Sequence, residues 1–90
     1  TFPVINPATK IAFAEVADAS EIDALNAIDA ADKAFIDWQN YPFKERSRLL
    51  RKWFDLVIQH QNELAQIITQ ESGKPIAEAT SEVLYAASYI

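Results

Sequence analysis

Four groups of residues in this sequence have types and spacing that could do chemistry. The first, Ser72-Gly73-Lys74-Pro75, resembles the end of a phosphate-binding loop, but the upstream glycine of that motif is missing and Pro75 stands where a magnesium-ligating hydroxyl belongs. A glycine that ends one helix and a proline that starts the next explain the same residues. We therefore predict a corner between two helices here and no phosphate site.

The second and third groups are His60 and the pair Glu78 and Glu82. His60 is the only histidine, it lies near a predicted helix end, and no nucleophile is recognisable beside it. Two carboxylates four residues apart share a helix face, but sites for hard cations gather several oxygens from a shaped loop. We predict that His60 interacts with the helix dipole and that both glutamates are solvated.

The fourth group is aromatic and consists of Phe35, Trp38, Trp53 and Phe54. These rings could line a pocket, but their helical spacing is more typical of a core. The chain has no cysteine, so it contains no disulfide, thiolate zinc site or thiol nucleophile, and its one glycine cannot build a glycine-rich phosphate loop. We predict that no catalytic, cofactor-binding or metal-ligating residue lies in these 90 residues.

The composition is that of a small, acidic and mostly helical segment of one domain. Of its 90 residues 50% are hydrophobic, enough for a core, 23% are charged, and the formal net charge is −5. By region the net charge is −5 over 1–40, +3 over 41–60 and −3 over 61–90. The basic region lacks interleaved stacking aromatics, so we expect it to pair with its acidic neighbours and not with nucleic acid. No charge-free run is long enough to span a membrane and no secretory leader is visible, and we expect a cytoplasmic protein.

The elements that must position these residues begin with a β-hairpin over about 2–16. A first apolar run is interrupted by Asn6-Pro7, a turn-forming pair, and a second run from Ile11 to Val16 alternates with period two. A lone hairpin is marginal in water, so we expect it to lean on the helices or to pair with another strand.

Four helices are predicted over about 20–39, 42–60, 62–72 and 75–90. Their boundary signals are Ser20 and Asn62 as N-caps, Pro42 and Pro75 in first turns, and Gly73 as a left-handed C-terminal residue. No capping signal closes the fourth helix, so we expect it to continue to the last residue and the segment to be truncated there. The side chains that share the apolar face of each helix are Ile22, Leu25, Ile28, Phe35, Trp38, Leu49, Leu50, Trp53, Leu56, Val57, Leu64, Ile67, Ile68, Ile76, Ala79, Val83, Ala87 and Ile90, and those of the third helix, Leu64, Ile67 and Ile68, are expected to be buried.

The motifs follow one another in an order typical of one enzyme family. The stretches that carry the likeness are 4–9, 14–20, 30–38 and 45–52, and the most specific is 71–79, followed by 82–83 and 85–87. Over essentially its whole length the chain resembles the N-terminal portion of an NAD(P)-dependent aldehyde dehydrogenase. The block 73–79 and the end 85–89 are most similar to the succinate-semialdehyde dehydrogenase branch.

The resemblance implies a fold and a reaction. The fold is mainly α with a short N-terminal β-hairpin, a fragment of the family's α/β cofactor-binding domain. In the family a cysteine attacks the aldehyde, an oxyanion hole that contains an asparagine side chain stabilises the adduct, hydride passes to NAD or NADP, and a glutamate activates water. All of these groups are expected beyond Ile90, so the fragment itself should be inactive and bind no cofactor, and its role should be structural. The complete enzyme is expected to be an oligomer.

Two lysines qualify the resemblance. The family usually has glycine where this chain has Lys10, and a non-glycine residue at positive φ is strained by about 1 kcal/mol or more, so we expect a turn of different shape. The family's adenosine-contacting lysine also precedes a proline, but it belongs to a later strand motif, so Lys74 does not inherit that role.

A second function remains open at this point. The helical pattern equally fits a stand-alone protein-interaction module with the basic second helix as its docking face. If the chain is instead a fragment, its partners are the rest of the parent chain and, for the isolated fragment, a second copy, because its helices carry more apolar surface than they can bury among themselves.

Overall fold

The computed structural model describes all 90 residues as two strands followed by four helices. The elements are β1 (Phe2–Ile5), β2 (Ala12–Val16), α1 (Glu21–Trp38), α2 (Phe43–Gln59), α3 (Gln61–Ser72) and α4 (Ile76–Ala87). The predicted fold class, mainly α with an N-terminal hairpin, is confirmed.

The hairpin is antiparallel, with Phe2 opposite Val16 and a register irregularity between Val4 and Ile5. Its turn is fixed by Asn6, whose Oδ1 accepts hydrogen bonds from the backbone N–H of Ala8 at 2.9 Å and of Thr9 at 3.4 Å. This side-chain acceptor is the physical basis of the turn-forming tendency of asparagine.

Lys10 closes the same turn in the left-handed region, with φ of 63°. With Lys10 in this left-handed conformation, its N–H donates to the carbonyl of Asn6 at 2.8 Å. We expected the lysine to change the turn so as to avoid positive φ, and that expectation is wrong: the backbone accepts the strain.

α1 begins with a reciprocal capping box, as Ser20 predicts. The Asp23 N–H donates to Ser20 Oγ at 3.3 Å, while Asp23 Oδ2 accepts from the Ser20 N–H at 2.8 Å and from its hydroxyl at 2.7 Å. The two hydrogen bonds from Ser20, the backbone one first, lower the pKa of Asp23 below its ordinary value. The cap matters for α1 because no residue of this helix is buried.

α2 and α3 follow each other with only His60 between them. α3 begins at Gln61, and the residue that precedes it is His60, so the predicted Asn62 N-cap is wrong. The two helices meet almost end to end, which leaves no room for a separate cap. Pro42 and Pro75 lie immediately before α2 and α4, one position earlier than the first-turn placement predicted, and their carbonyls accept the first helical hydrogen bonds.

The corner between α3 and α4 is made by Gly73, as predicted. Gly73 has φ of 76°, and its N–H donates to the carbonyl of Thr69 at 2.9 Å, which closes the end of α3. The hairpin turn also reaches this corner: a Cβ added to Gly73 would lie 3.0 Å from Pro7 Cγ. The hairpin thus leans on the helices through Pro7.

α4 ends at Ala87, so the prediction of an uncapped helix through Ile90 is wrong. The Ser88 hydroxyl donates to the carbonyl of Tyr85 at 2.6 Å, and the N–H groups of Tyr89 and Ile90 bond to carbonyls three residues back. The last turn is therefore tightened to 3₁₀ spacing, one of the usual ways of satisfying the carbonyls of a helix end.

The core is a small seam between α3 and α4. Its buried residues are Ala65, Ala79 and Val83, with Val57, Leu64 and Ile68 packed half-buried around them, and Ala87 is buried farther along α4. Alanine on both helices lets their backbones approach closely. Ile67, placed on the buried side from the sequence, remains exposed, whereas Ala65, which periodicity of large side chains does not mark, is completely buried.

The aromatic residues are not core. Phe35, Trp38 and Trp53 are exposed, and Phe54 is half-buried, so the prediction that these rings fill a core is wrong. The reason is the shape of the molecule, which extends 48 × 33 × 14 Å. Only α3 with α4 and α2 with α4 pack extensively, so the helices form one layer and the other apolar faces have nothing to cover them.

Gly73→Ala should destabilise the chain by about 1 kcal/mol or more. A Cβ at this position forces an L-residue into positive φ and meets Pro7 Cγ at 3.0 Å. Chemical denaturation separates the backbone strain from the contact with Pro7. It is carried out on Gly73→Ala, on Pro7→Ala and on the double variant. We expect Gly73→Ala to cost less in the Pro7→Ala background, and a raised midpoint for Gly73→Ala would contradict the corner geometry.

The carboxyl of Asp23 should titrate below 3.8 in the folded chain. Because its pKa is lowered on folding, the carboxylate stabilises α1 above the unfolded pKa, and that contribution is lost as the pH falls through the folded pKa. An NMR titration of the Asp23 side chain measures this. Ser20→Ala removes only the hydrogen bond from the hydroxyl, the weaker of the two causes, so it should move the midpoint part of the way towards 3.8, whereas the same substitution at the exposed Ser81 should leave it unchanged.

Candidate functional site

A polar hollow on the surface lies along α4, just after the Gly73 corner. It has a volume of about 630 Å³ and is lined by Lys74, Ala77, Glu78, Ser81, Glu82 and Tyr85. Lys74 Nζ donates to Glu82 Oε2, and this hydrogen bond, together with the charges of Glu82 and Glu78, raises the pKa of Lys74. The ammonium and one carboxylate of the hollow therefore neutralise each other.

Both glutamates are exposed, as predicted, and Glu82 is in addition paired with Lys74. Its carboxylate accepts a charge-assisted hydrogen bond from a residue eight positions earlier, across the corner. Helical spacing could not show this contact, because it depends on the direction in which Gly73 turns the chain. Lys74 is therefore engaged by Glu82 at the protein surface.

His60 lies at the joint between α2 and α3, near a helix C-terminus as predicted. Its Nδ1 lies 3.0 Å from Glu63 Oε2, in the first turn of α3. Sequence analysis missed this pair, although the separation of three residues at a helix start was the available signal. The pair links His60 to the first turn of α3, and both side chains are largely exposed.

Tyr85 and Tyr89 form an exposed pair near the end of α4. Their hydroxyls are hydrogen-bonded, and their rings meet edge to face with centroids 5.0 Å apart. The hydrogen bond to Tyr85 raises the pKa of Tyr89. Both rings remain largely exposed, so the pair lies open to solvent near the end of α4.

Two of the five basic residues of α2, Arg48 and Arg51, are paired within their own helix. Arg48 Nε lies 2.9 Å from Glu45 Oε2, and Arg51 Nε lies 3.4 Å from Asp55 Oδ1. The prediction that the basic helix pairs with acidic neighbouring segments is therefore wrong. The pairs follow i,i+3 and i,i+4 spacing, because the neighbouring segments are not packed against the charged side of α2.

Beside these pairs, two shallow grooves run between α2 and the end of α4. One is lined entirely by apolar side chains, and the other combines Arg46 and Arg51 with Phe54, whose ring lies 4.5 Å below the Arg51 guanidinium. The structure brings together no group of three or more His, Cys, Asp or Glu residues of the kind that could hold a metal ion. No helix is both long and apolar enough to cross a lipid bilayer.

Comparison with known proteins accounts for the whole chain. The model of the "Aldehyde dehydrogenase family" matches residues 1–90. The chain is 51% identical over all 90 residues to the mitochondrial succinate-semialdehyde dehydrogenase of Rattus norvegicus, of which it covers 17%. It is 47% identical to the glutarate-semialdehyde dehydrogenase of Pseudomonas putida, of which it covers 19%.

A solved structure agrees in fold. The crystal structure of succinate-semialdehyde dehydrogenase from Burkholderia pseudomallei superposes with a TM-score of 0.93 at 44% identity, over 98% of this chain and 18% of that one. The 90 residues therefore span less than a fifth of the length of these relatives.

The hydrogen bond to Glu82 should be the main cause of the raised pKa of Lys74. Glu82→Gln should return the pKa towards 10.5, and Glu78→Gln, which removes only a weaker charge interaction, should lower it less. Because folding raises this pKa, the pair stabilises the chain below the unfolded value and the contribution is lost as the pH rises through the folded value. NMR titration of the ammonium measures both variants. A larger shift for Glu78→Gln would contradict the pairing.

Proposed function

The chain belongs to the aldehyde dehydrogenase family, and on that premise we propose that its 90 residues are the N-terminal structural part of an enzyme that oxidises a semialdehyde to its acid with NAD or NADP. The observation that carries the proposal is the match of the family model to every residue of the chain. A stand-alone interaction module would have no reason to preserve this likeness from the hairpin to the last helix.

The substrate we propose is succinate semialdehyde. Of the relatives compared, the succinate-semialdehyde dehydrogenase is 51% identical and the glutarate-semialdehyde dehydrogenase 47% identical. These two substrates are the same kind of molecule, an aldehyde at one end and a carboxylate at the other, and they differ by one methylene. The proposal therefore places the substrate among short ω-carboxylate aldehydes and prefers the shorter.

The residues of this chain contribute no reacting group. The family's reaction needs a thiol that adds to the aldehyde, and the chain has no cysteine. They also do not fit a dinucleotide: the single glycine faces Pro7 at the end of α3, and Lys74 is held by Glu82. We assign the nucleophile, the oxyanion donors, the water-activating carboxylate and the cofactor site to the rest of the parent protein.

The role left to the chain is to build one layer of the cofactor-binding domain. Its α3–α4 seam gives it a small core of its own, while α1 and α2 present apolar side chains that a larger domain would cover. For the complete enzyme the proposal includes an oligomer and a cytoplasmic location. Cell fractionation and sedimentation of the complete enzyme test these two parts.

An enzyme chimera tests the structural role. The matching segment of the Burkholderia pseudomallei succinate-semialdehyde dehydrogenase is replaced by these 90 residues, and turnover of succinate semialdehyde is followed through the nicotinamide absorbance. We expect kcat/KM within about tenfold of the unmodified enzyme, a change of about 1.4 kcal/mol in transition-state free energy. The 90 residues alone should give no turnover with NAD or NADP, because they lack the thiol.

Two controls complete the experiment. The same enzyme without the segment should be inactive, and a chimera carrying Gly73→Ala should show a lower thermal midpoint with its KM unchanged. A chimera that folds to the mass of the parent enzyme but has lost activity would contradict the proposed role. For the substrate, the complete parent should show a higher kcat/KM with succinate semialdehyde than with glutarate semialdehyde, and the reverse order would overturn that assignment.

A further inference from the structure

The side chains of these 90 residues that a one-electron oxidant attacks most readily are aromatic. The sequence contains three tyrosines and two tryptophans, but no cysteine and no methionine, which are the sulfur side chains that oxidants otherwise consume first. An electron removed from this chain therefore comes from a tyrosine or tryptophan ring. The product that follows depends on which second ring the oxidised ring contacts.

Two of the three tyrosines contact each other. The Tyr89 hydroxyl donates to the Tyr85 hydroxyl, and the ring centroids lie 5.0 Å apart with 83° between the ring planes. In each ring the ortho carbon is bonded to the carbon that carries the hydroxyl, so the hydrogen bond also holds an ortho carbon of one ring close to an ortho carbon of the other. The third tyrosine, Tyr41, stacks on Trp38 instead and contacts no other phenol.

The contact between the two rings is made within one helical segment. Tyr85 belongs to α4, and Tyr89 belongs to the turn that ends it, where its N–H donates to the Ala86 carbonyl at 3.2 Å. A spacing of four residues places both side chains on the same side of this segment. The pair therefore does not depend on which other surfaces of the chain a larger domain covers.

The hydrogen bond favours oxidation of Tyr85 before Tyr89. A phenol that loses an electron also loses its proton, and the phenoxyl oxygen formed on Tyr85 keeps the hydrogen bond that Tyr89 already donates. The same bond raises the pKa of Tyr89, so its hydroxyl stays protonated and remains the donor. The Tyr85 radical is thus stabilised and held beside the ring with which it has to react.

We propose that Tyr85 and Tyr89 form an oxidative modification site, at which a one-electron, metal-centred oxidant joins the two rings by a carbon–carbon bond. The product is a dityrosine within a single chain, and it closes the end of α4 covalently. The site rests on the geometry of α4 and does not depend on the catalytic role of the parent protein.

The atoms and electrons of this step balance. Two equivalents of the oxidant each take one electron and are reduced, and each phenol releases its hydroxyl proton to water. The two phenoxyl radicals couple at their ortho carbons, and the hydrogens at those carbons then move to the two oxygens and restore both phenols. The cross-linked chain has therefore lost two hydrogen atoms and gained no oxygen.

Oxidation by photogenerated tris(bipyridyl)ruthenium(III), at high dilution of the protein, tests the proposal. Trypsin cleaves after Lys52 but not after Lys74, which precedes a proline, so Tyr85 and Tyr89 remain together in the peptide 53–90. Mass spectrometry should show a chain of unchanged size whose 53–90 peptide has lost two hydrogen atoms and carries dityrosine fluorescence. Oxidation of the tryptophan in that peptide adds oxygen, so its mass distinguishes it from the cross-link.

Three matched variants each remove one hydroxyl and keep the ring. Tyr85→Phe and Tyr89→Phe should each abolish the cross-linked peptide, whereas Tyr41→Phe should leave its yield unchanged, and circular dichroism should show the same helix content in all three. In concentrated urea the yield from the unsubstituted chain should fall at least about fivefold, because the two rings then meet only by chance. An equal yield in urea overturns the proposal, and so does a dityrosine found only between chains or one that survives Tyr85→Phe.

Discussion

The left-handed conformation of Gly73 is the constraint on which the rest of the structure depends. It ends α3, turns the chain back, and sets α4 against α3 so that Ala65 and Ala79 meet. Because both contacting residues are alanines, the backbones lie close and a side chain as small as Val83 completes the seam. The absence of a Cβ at Gly73 also leaves space for Pro7, so one position fixes both the helix pair and the place of the hairpin turn.

Away from this corner, local hydrogen bonds hold each element separately. Ser20 with Asp23 caps α1, Asn6 forms the hairpin turn, and His60 with Glu63 spans the joint between α2 and α3. All of these contacts join residues within three positions of each other. Contacts of this kind determine where an element begins, but they do not determine what packs against it. The elements are therefore regular, while most of their apolar faces remain exposed to solvent.

The difference between local contacts and packing between elements explains what the sequence could predict. The Gly73 corner, the Ser20 cap and the Asn6 turn follow from local stereochemistry, and they were predicted correctly. Burial was predicted only in part. Ala79, Val83 and Ala87 lie on the predicted apolar face of α4 and are buried, but period alone does not show whether anything covers the faces that carry Trp38 and Trp53. In the candidate site the pairing of Lys74 with Glu82 crosses the corner, so no fixed spacing could indicate it. The end of α4 was missed because Ser88 closes it with a side-chain bond that many helical serines also make.

The thickness of 14 Å is little more than the diameter of one helix with its side chains, about 10–12 Å. In such a single layer of helices, water reaches both sides of nearly every turn. Most backbone amides are therefore protected from hydrogen exchange only by their own hydrogen bonds and not by protein packed above them. Slow hydrogen exchange then belongs to the turns of α3 and α4 around Ala65 and Ala79, where neighbouring side chains exclude water. The rest of the backbone opens by local unfolding of short segments. The amides that resist hydrogen exchange are therefore confined to the seam between α3 and α4.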